Sequence, residues 1–139
     1  MVSHLEIVVP ANLDEIPKIS EDIEEILNSQ LFSDNEMLDV QLAVEEVIAN
    51  VINHGYAGKT GSVGIRCDAS PEKVTIEISD SARAFNPLTV PEPDVSKDID
   101  DRGIGGLGIF LVRRVMDSVT YQYKNHKNII TMVKIHKKQ

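Results

Sequence analysis

Two pairs of short alternating segments, each joined by a turn of a few residues, set the limits on this fold. Residues 62–69 and 73–79 read as strands with a turn at Ser70-Pro71 between them. Residues 119–124 and 129–135 read as two more, joined by Asn125-His126-Lys127-Asn128. Connections this short cannot carry a parallel crossover, so each pair must run antiparallel. Ahead of them, Leu5, Ile7 and Val9 alternate with polar neighbours as far as Pro10 and read as a further strand.

Helical spacing fills the gaps. Asn12, with Glu15 three residues on, resembles a capping-box start, and Ile16, Ile19, Ile23, Ile26 and Leu27 then recur on one face. Pro17 requires that this helix begin close to it. Ser33-Asp34-Asn35 opens a second helix with apolar faces from Leu38, Leu42, Val47, Ile48, Val51 and Ile52, and Gly55 is expected to end it. Residues 84–106 carry Pro87, Pro91 and Pro93 and read as a long loop, which in a small domain is usually functional or disordered. Leu107, Ile109, Phe110, Val112, Val115 and Met116 mark a third helix. The order β-α-α-β-β-loop-α-β-β predicts an α+β two-layer sandwich: a mostly antiparallel sheet with helices on one face. No repeat or linker divides the chain, so residues 1–139 are expected to form a single domain.

Composition narrows the function classes. Fourteen basic residues face 22 acidic ones, a net charge of −8 that disfavours a direct nucleic-acid surface. No apolar run approaches the ~20 residues of a membrane span. MVSHLEIVVP lacks the features of a signal peptide, so a cytoplasmic location without membrane attachment is expected. A single cysteine, Cys67, lies in a strand and reads as a buried, inert thiol. Residues 14–25 hold six acids and one lysine, whereas Lys124, Lys127, Lys134, Lys137 and Lys138 make the end of the chain basic. Both stretches read either as solvated surface or as docking faces for partners of opposite sign.

Three groups bear chemistry. In LAVEEVIANVINHGY, Glu46, Asn50 and His54 recur every four residues and stack along one face of the second helix. Glu46 could orient or deprotonate a nucleophile, and the oxygen of Asn50 could ligate Mg²⁺. Each also has a plain reading: Glu46 as an exposed helix carboxylate, His54 as a cation favouring the helix dipole. Glu45 is about 140° around the helix from Asn50 and off the stripe. Asp80 ends the strand VTIEISD, where it could accept a hydrogen bond from an exocyclic amine or simply serve the turn. Arg102-Gly-Ile-Gly-Gly-Leu-Gly108 leads into the third helix, and such a turn offers free N–H groups to phosphate, although glycines also serve plain loop-to-helix turns. It is neither a Walker A loop nor a Rossmann turn. No Cys/His cluster suggests zinc.

In combination these groups resemble the nucleotide site of the GHKL ATPase superfamily, the Bergerat fold. Glu46-x-x-x-Asn50 is similar to its N box, and Asp80-x-Ala82 with Phe85-Asn86-Pro87 to its first glycine box. Gly103 to Gly108 is similar to its second glycine box, beyond an ATP lid at about residues 87–105. The resemblance covers roughly residues 34–134 and is nearest to the anti-sigma factor serine/threonine-protein kinases of the RsbW/SpoIIAB type, through the Asn-His-Gly-Tyr helix end, Phe-Asn-Pro and GGLGIFLVRRVMDSV.

That resemblance implies ATP and Mg²⁺ as cofactors, and transfer of phosphate to a serine of a STAS-domain anti-sigma factor antagonist. It also implies sequestration of a sigma factor, commonly by a homodimer. Glu46 would be the catalytic base, Asn50 the Mg²⁺ ligand and Asp80 the acceptor of the adenine amine. His54, Ala82, Phe85 and Leu107 would lie along the nucleotide. Gly103, Gly105, Gly106 and Gly108 would meet phosphates, Arg102 would reach them from the lid, and Thr131 would match a threonine that supports the adenine site. Ala82 departs from the family, which usually has Gly there. Its methyl group motivates an alternative function: a catalytically weak, nucleotide-gated partner-switching module.

Overall fold

A computed structural model describes residues 3–89 and 106–137. Strand β1 (Ser3–Pro10) is followed by a 3-10 turn (Leu13–Glu15), helix α1 (Ile16–Ser29) and helix α2 (Asp34–Asn50). A π-helical turn (Val51–Tyr56) leads to strands β2 (Ser62–Ala69) and β3 (Lys73–Asp80). Beyond a 3-10 turn (Pro87–Thr89) come helix α3 (Gly106–Val115) and strands β4 (Ser118–Lys124) and β5 (Lys127–Ile135). The sheet order is β1-β2-β3-β5-β4, with every ladder antiparallel. This is the expected α+β sandwich.

Strand alternation builds the core. Val63, Ile65, Cys67 and Ala69 face the same side as Val74, Ile76, Ile78, Ile130 and Met132, and all are buried. The apolar stripe of α1 (Ile19, Ile23, Leu27) and residues Val40, Ala43, Val44, Val47 and Ile48 of α2 close over them, with Val112 of α3. Cys67 is fully buried, and burial pushes its thiol up to about 12, so it is the inert core residue expected. Lys134 ties the layers together. Its ammonium donates to Asp39 on α2 at 3.1 Å and to the carbonyl of Val115, at the end of α3, at 2.6 Å.

Several local expectations are corrected. Asn12 accepts from the N–H of Asp14 at 2.9 Å and opens the 3-10 turn; α1 proper starts at Ile16 with Pro17 in its first turn and no capping side chain. The capping box belongs to α2, where Ser33 and Glu36 exchange side chain-to-backbone bonds of 2.8 and 3.1 Å. Leu38 is 62% exposed rather than part of the core face. Gly55 does not end the second helix. The chain widens into the π turn at Val51, and Ala57, in the left-handed conformation, closes it with an N–H bond of 3.2 Å to the carbonyl of Ile52. The last hairpin turns at two residues, Asn125 and His126, both at positive φ, as a type I′ loop demands. Lys127 and Asn128 therefore belong to β5.

Candidate functional site

The end of α2, its π turn and the β3 end together wall a cleft. Asn50 and His54 line it from the helical layer, and Asp80, Asn128 and Ile130 from the sheet, with Phe85 of the turn after β3. The wider π turn changes the spacing after Asn50 but leaves both Asn50 and His54 facing the cleft. Glu45 is turned away, accepting from the hydroxyl of Ser20 on α1 at 3.0 Å, so it serves helix packing.

Glu46 projects toward the first turn of α3. A β-carbon built on Gly108 would lie 2.4 Å from Glu46 Oε2. Glycine at 108 thus leaves room for the carboxylate beside the helix start. Gly106 opens α3 and Leu107 lies in its first turn. Arg102, Gly103 and Gly105 lie outside the described residues.

Asp80 is 7% exposed. Its Oδ1 accepts from the N–H of Ala82 and from Nδ2 of Asn128, both at 2.9 Å. Asn128 holds the following turn through the carbonyl of Arg83 at 2.9 Å and the N–H of Phe85 at 3.1 Å. Tyr56 braces the other side: its hydroxyl donates to the carbonyl of Ser62 at 2.6 Å and accepts from the N–H of Ser81 at 2.9 Å. Burial, chiefly, raises the Tyr121 hydroxyl above its ordinary pKa, and the negative charge of Asp80 adds to the rise. Ala82 packs toward Gly55, where an added β-carbon would meet its methyl at 3.3 Å. The extra methyl at 82 is thus received by a residue with no side chain.

Strand alternation turns Thr131 to the face opposite Asn128 and Ile130, and it is not among the residues that line the cleft. Asn128 and Tyr121 are cleft residues that the sequence reading left out. The signal was available: with a two-residue turn, Asn128 shares the parity of Ile130 and Met132, an unusual place for asparagine.

The donor set suits a nucleotide with a divalent cation. Asp80 offers an acceptor to a base, and Asn50 offers one neutral oxygen. Among the described residues no cluster of three or more His, Cys, Asp or Glu side chains could hold a metal ion. A cation at Asn50 would therefore take most of its oxygens from phosphate and water, which is the usual habit of Mg²⁺.

Comparison with known proteins identifies the family and the fold. The family model for the histidine kinase-like ATPase domain matches residues 9–134. The serine-protein kinase RsbW of Staphylococcus aureus (strain bovine RF122 / ET3-1) is 30% identical over 141 residues, covering 97% of this chain and 88% of the relative. RsbW of strain MSSA476 is 29% identical with the same coverage. The crystal structure of the RsbU and RsbW domains of Rv1364c from Mycobacterium tuberculosis superposes at a TM-score of 0.64 with 13% identity, over 96% of this chain and 32% of that one, a likeness of fold. A family match along nearly the whole chain, and a relative at 30% identity over the same span, show that the chain belongs to the histidine kinase-like ATPase family, among the ATP-binding anti-sigma kinases of the RsbW type.

Proposed function

We propose that this protein is an Mg²⁺-dependent serine/threonine-protein kinase that phosphorylates a STAS-domain anti-sigma factor antagonist and sequesters a sigma factor. The observation that carries the kinase reading is the placement of Glu46 against Gly108. It sets a carboxylate beside the first turn of α3, one helical turn from Asn50 in the cleft. Bound ATP with Mg²⁺ supplies the phosphoryl group and the charge neutralisation. Glu46 accepts the proton of the substrate serine as its oxygen bonds to the γ-phosphorus and the bond to ADP breaks. Asn50 holds the cation, and the N–H groups at Gly106 and Gly108 face phosphate at the helix start. Asp80 accepts the adenine amine; His54, Ala82, Phe85 and Leu107 flank the nucleotide, and Arg102, Gly103 and Gly105 serve the phosphates from a lid at about 87–105.

The same reading makes residues 1–139 one cytoplasmic domain that works as a homodimer. No helix among the described residues is long and apolar enough to cross a membrane. Labelled ATP, Mg²⁺ and a STAS protein shown to bind the chain provide the test. Transfer of label to a serine is expected, and no transfer to a bound partner contradicts the kinase assignment.

A second reading, a nucleotide-gated binding module with little catalysis, draws on alanine at 82, where the family usually has glycine, and on the acidic residues 14–25. It predicts a partner affinity that changes with ATP although no phosphate is transferred.

A further inference from the structure

Asn128 is a buried polar side chain that none of these roles uses. It is 6% exposed and sits opposite Asp80 in the β3–β5 ladder. Chemistry fixes the sense of its amide. The N–H of Phe85 can only donate, and it meets Oδ1 at 3.1 Å. The carbonyls of Arg83 and Ala82 can only accept, and they face Nδ2 at 2.9 and 3.3 Å. Nδ2 is therefore also the atom 2.9 Å from Asp80 Oδ1. The hydroxyl of Tyr121 donates to Oδ1 of Asn128 at 2.5 Å and fills its second acceptor position.

The consequence falls on Asp80. Its Oδ1 already accepts two hydrogen bonds, from Asn128 and from the N–H of Ala82. Among the described residues, Oδ2 accepts none. We propose that Asn128, held by Tyr121, is a positioning residue that sets nucleobase selectivity: it occupies one oxygen of Asp80, leaves the other as a fixed acceptor, and clamps the 81–85 turn that forms the rim. This rests on reading the cleft as a nucleotide site with Asp80 at the base. A 6-amino purine donates to the open oxygen. A 6-oxo purine sets acceptor against acceptor at a carboxylate that is itself buried, leaving polar groups unpaired. Without Asn128 only the N–H of Ala82, among the described residues, holds Oδ1, so the carboxylate is less firmly fixed and water can bridge to either base.

Equilibrium titration of the full chain with ADP and with GDP tests this. The wild type is expected to prefer ADP by about 100-fold or more. Asn128→Ala narrows that ratio by about 10-fold, and Tyr121→Phe, which frees one acceptor of the amide, by roughly 2- to 5-fold. A purely structural role would weaken both nucleotides alike and leave the ratio unchanged, which overturns the proposal. Tyr121→Phe decides the matter if Asn128→Ala does not fold. Asp80→Asn separates the two levels. An unchanged ratio in Asp80→Asn removes the base-site reading and the proposal with it. Lost selectivity in Asp80→Asn, with wild-type ratios in the Asn128 and Tyr121 variants, overturns the positioning role alone.

Discussion

The Glu46 carboxylate and Gly108 are packed so closely that a β-carbon at 108 would come within 2.4 Å of Oε2. The obstacle to a side chain at 108 is thus the far end of a flexible residue and not backbone. Gly108→Ala should therefore fold well, because Glu46 can rotate aside and alanine is the better helix former by about 1 kcal/mol. On the proposed role of Glu46 as proton acceptor, displacing it should still slow phosphoryl transfer by about 10- to 100-fold. Thermal unfolding and transfer assays on the same preparation check this; a variant with wild-type transfer would show that the contact does not position Glu46.

The far end of α2 carries a different tie. Both oxygens of Glu36 are engaged: the N–H of Ser33 and Nδ1 of His136 meet Oε1, and the N–H of Lys137 meets Oε2, each at 2.8 Å. His136 also stacks on Phe32, with ring centroids 4.5 Å apart. Burial disfavours the charge on Glu36, but the hydrogen bonds from Ser33, Lys137 and His136 outweigh it and hold its carboxyl at about 2, below the ordinary 4.5. A depressed carboxyl stabilises the fold above its unfolded pKa, and that stability is lost as pH falls through the folded value. Stability should thus decline between pH 4.5 and about 2, with Glu36 contributing roughly 2 kcal/mol of the loss. Glu36→Gln keeps the capping partner but removes the titration, so denaturant unfolding against pH should show a shallower acid limb.

Leu31 ends α1 in the left-handed region, at φ 63, while 81% exposed. The N–H groups of Leu31 and Phe32 bond to the carbonyls of Asn28 and Leu27, both at 3.1 Å, the paired closure that glycine usually makes. Leu31→Gly removes the strain at little loss of burial and should raise stability by about 0.5–1 kcal/mol. Urea midpoints measure this directly, and a lowered midpoint would mean that the exposed leucine contributes packing.

The parts of the fold that follow from alternation and short turns were legible in the sequence. Val63, Ile65 and Cys67 against Ile78 and Ile76 need only a period of two and a hairpin. The first helix was equally plain in its isoleucines. What failed was register at the ends of elements. A turn of four residues, 125–128, hides Asn128 in a loop, whereas a two-residue turn gives it the parity of Ile130 and puts it in the cleft. Thr131 rests on the resemblance alone, and the same parity sends it to the other face. The π turn after Asn50 has no composition signal, because VINHGY continues an apolar pattern through a change in hydrogen bonding. The stripe of Glu46, Asn50 and His54 was legible as a pattern. That Glu46 would stand over Gly108, with Asn50 and His54 in the cleft, depends on how α3 packs against α2.

In the proposed function Glu46 handles the proton while the rest of the cleft binds nucleotide. Glu46→Gln keeps size and hydrogen bonding but cannot take a proton. Single-turnover phosphoryl transfer to the partner serine, measured beside ATP affinity, tests this most directly. Transfer slowed by about 100-fold or more, with ATP affinity within a few-fold of wild type, is the expected result. Wild-type transfer by Glu46→Gln would contradict it.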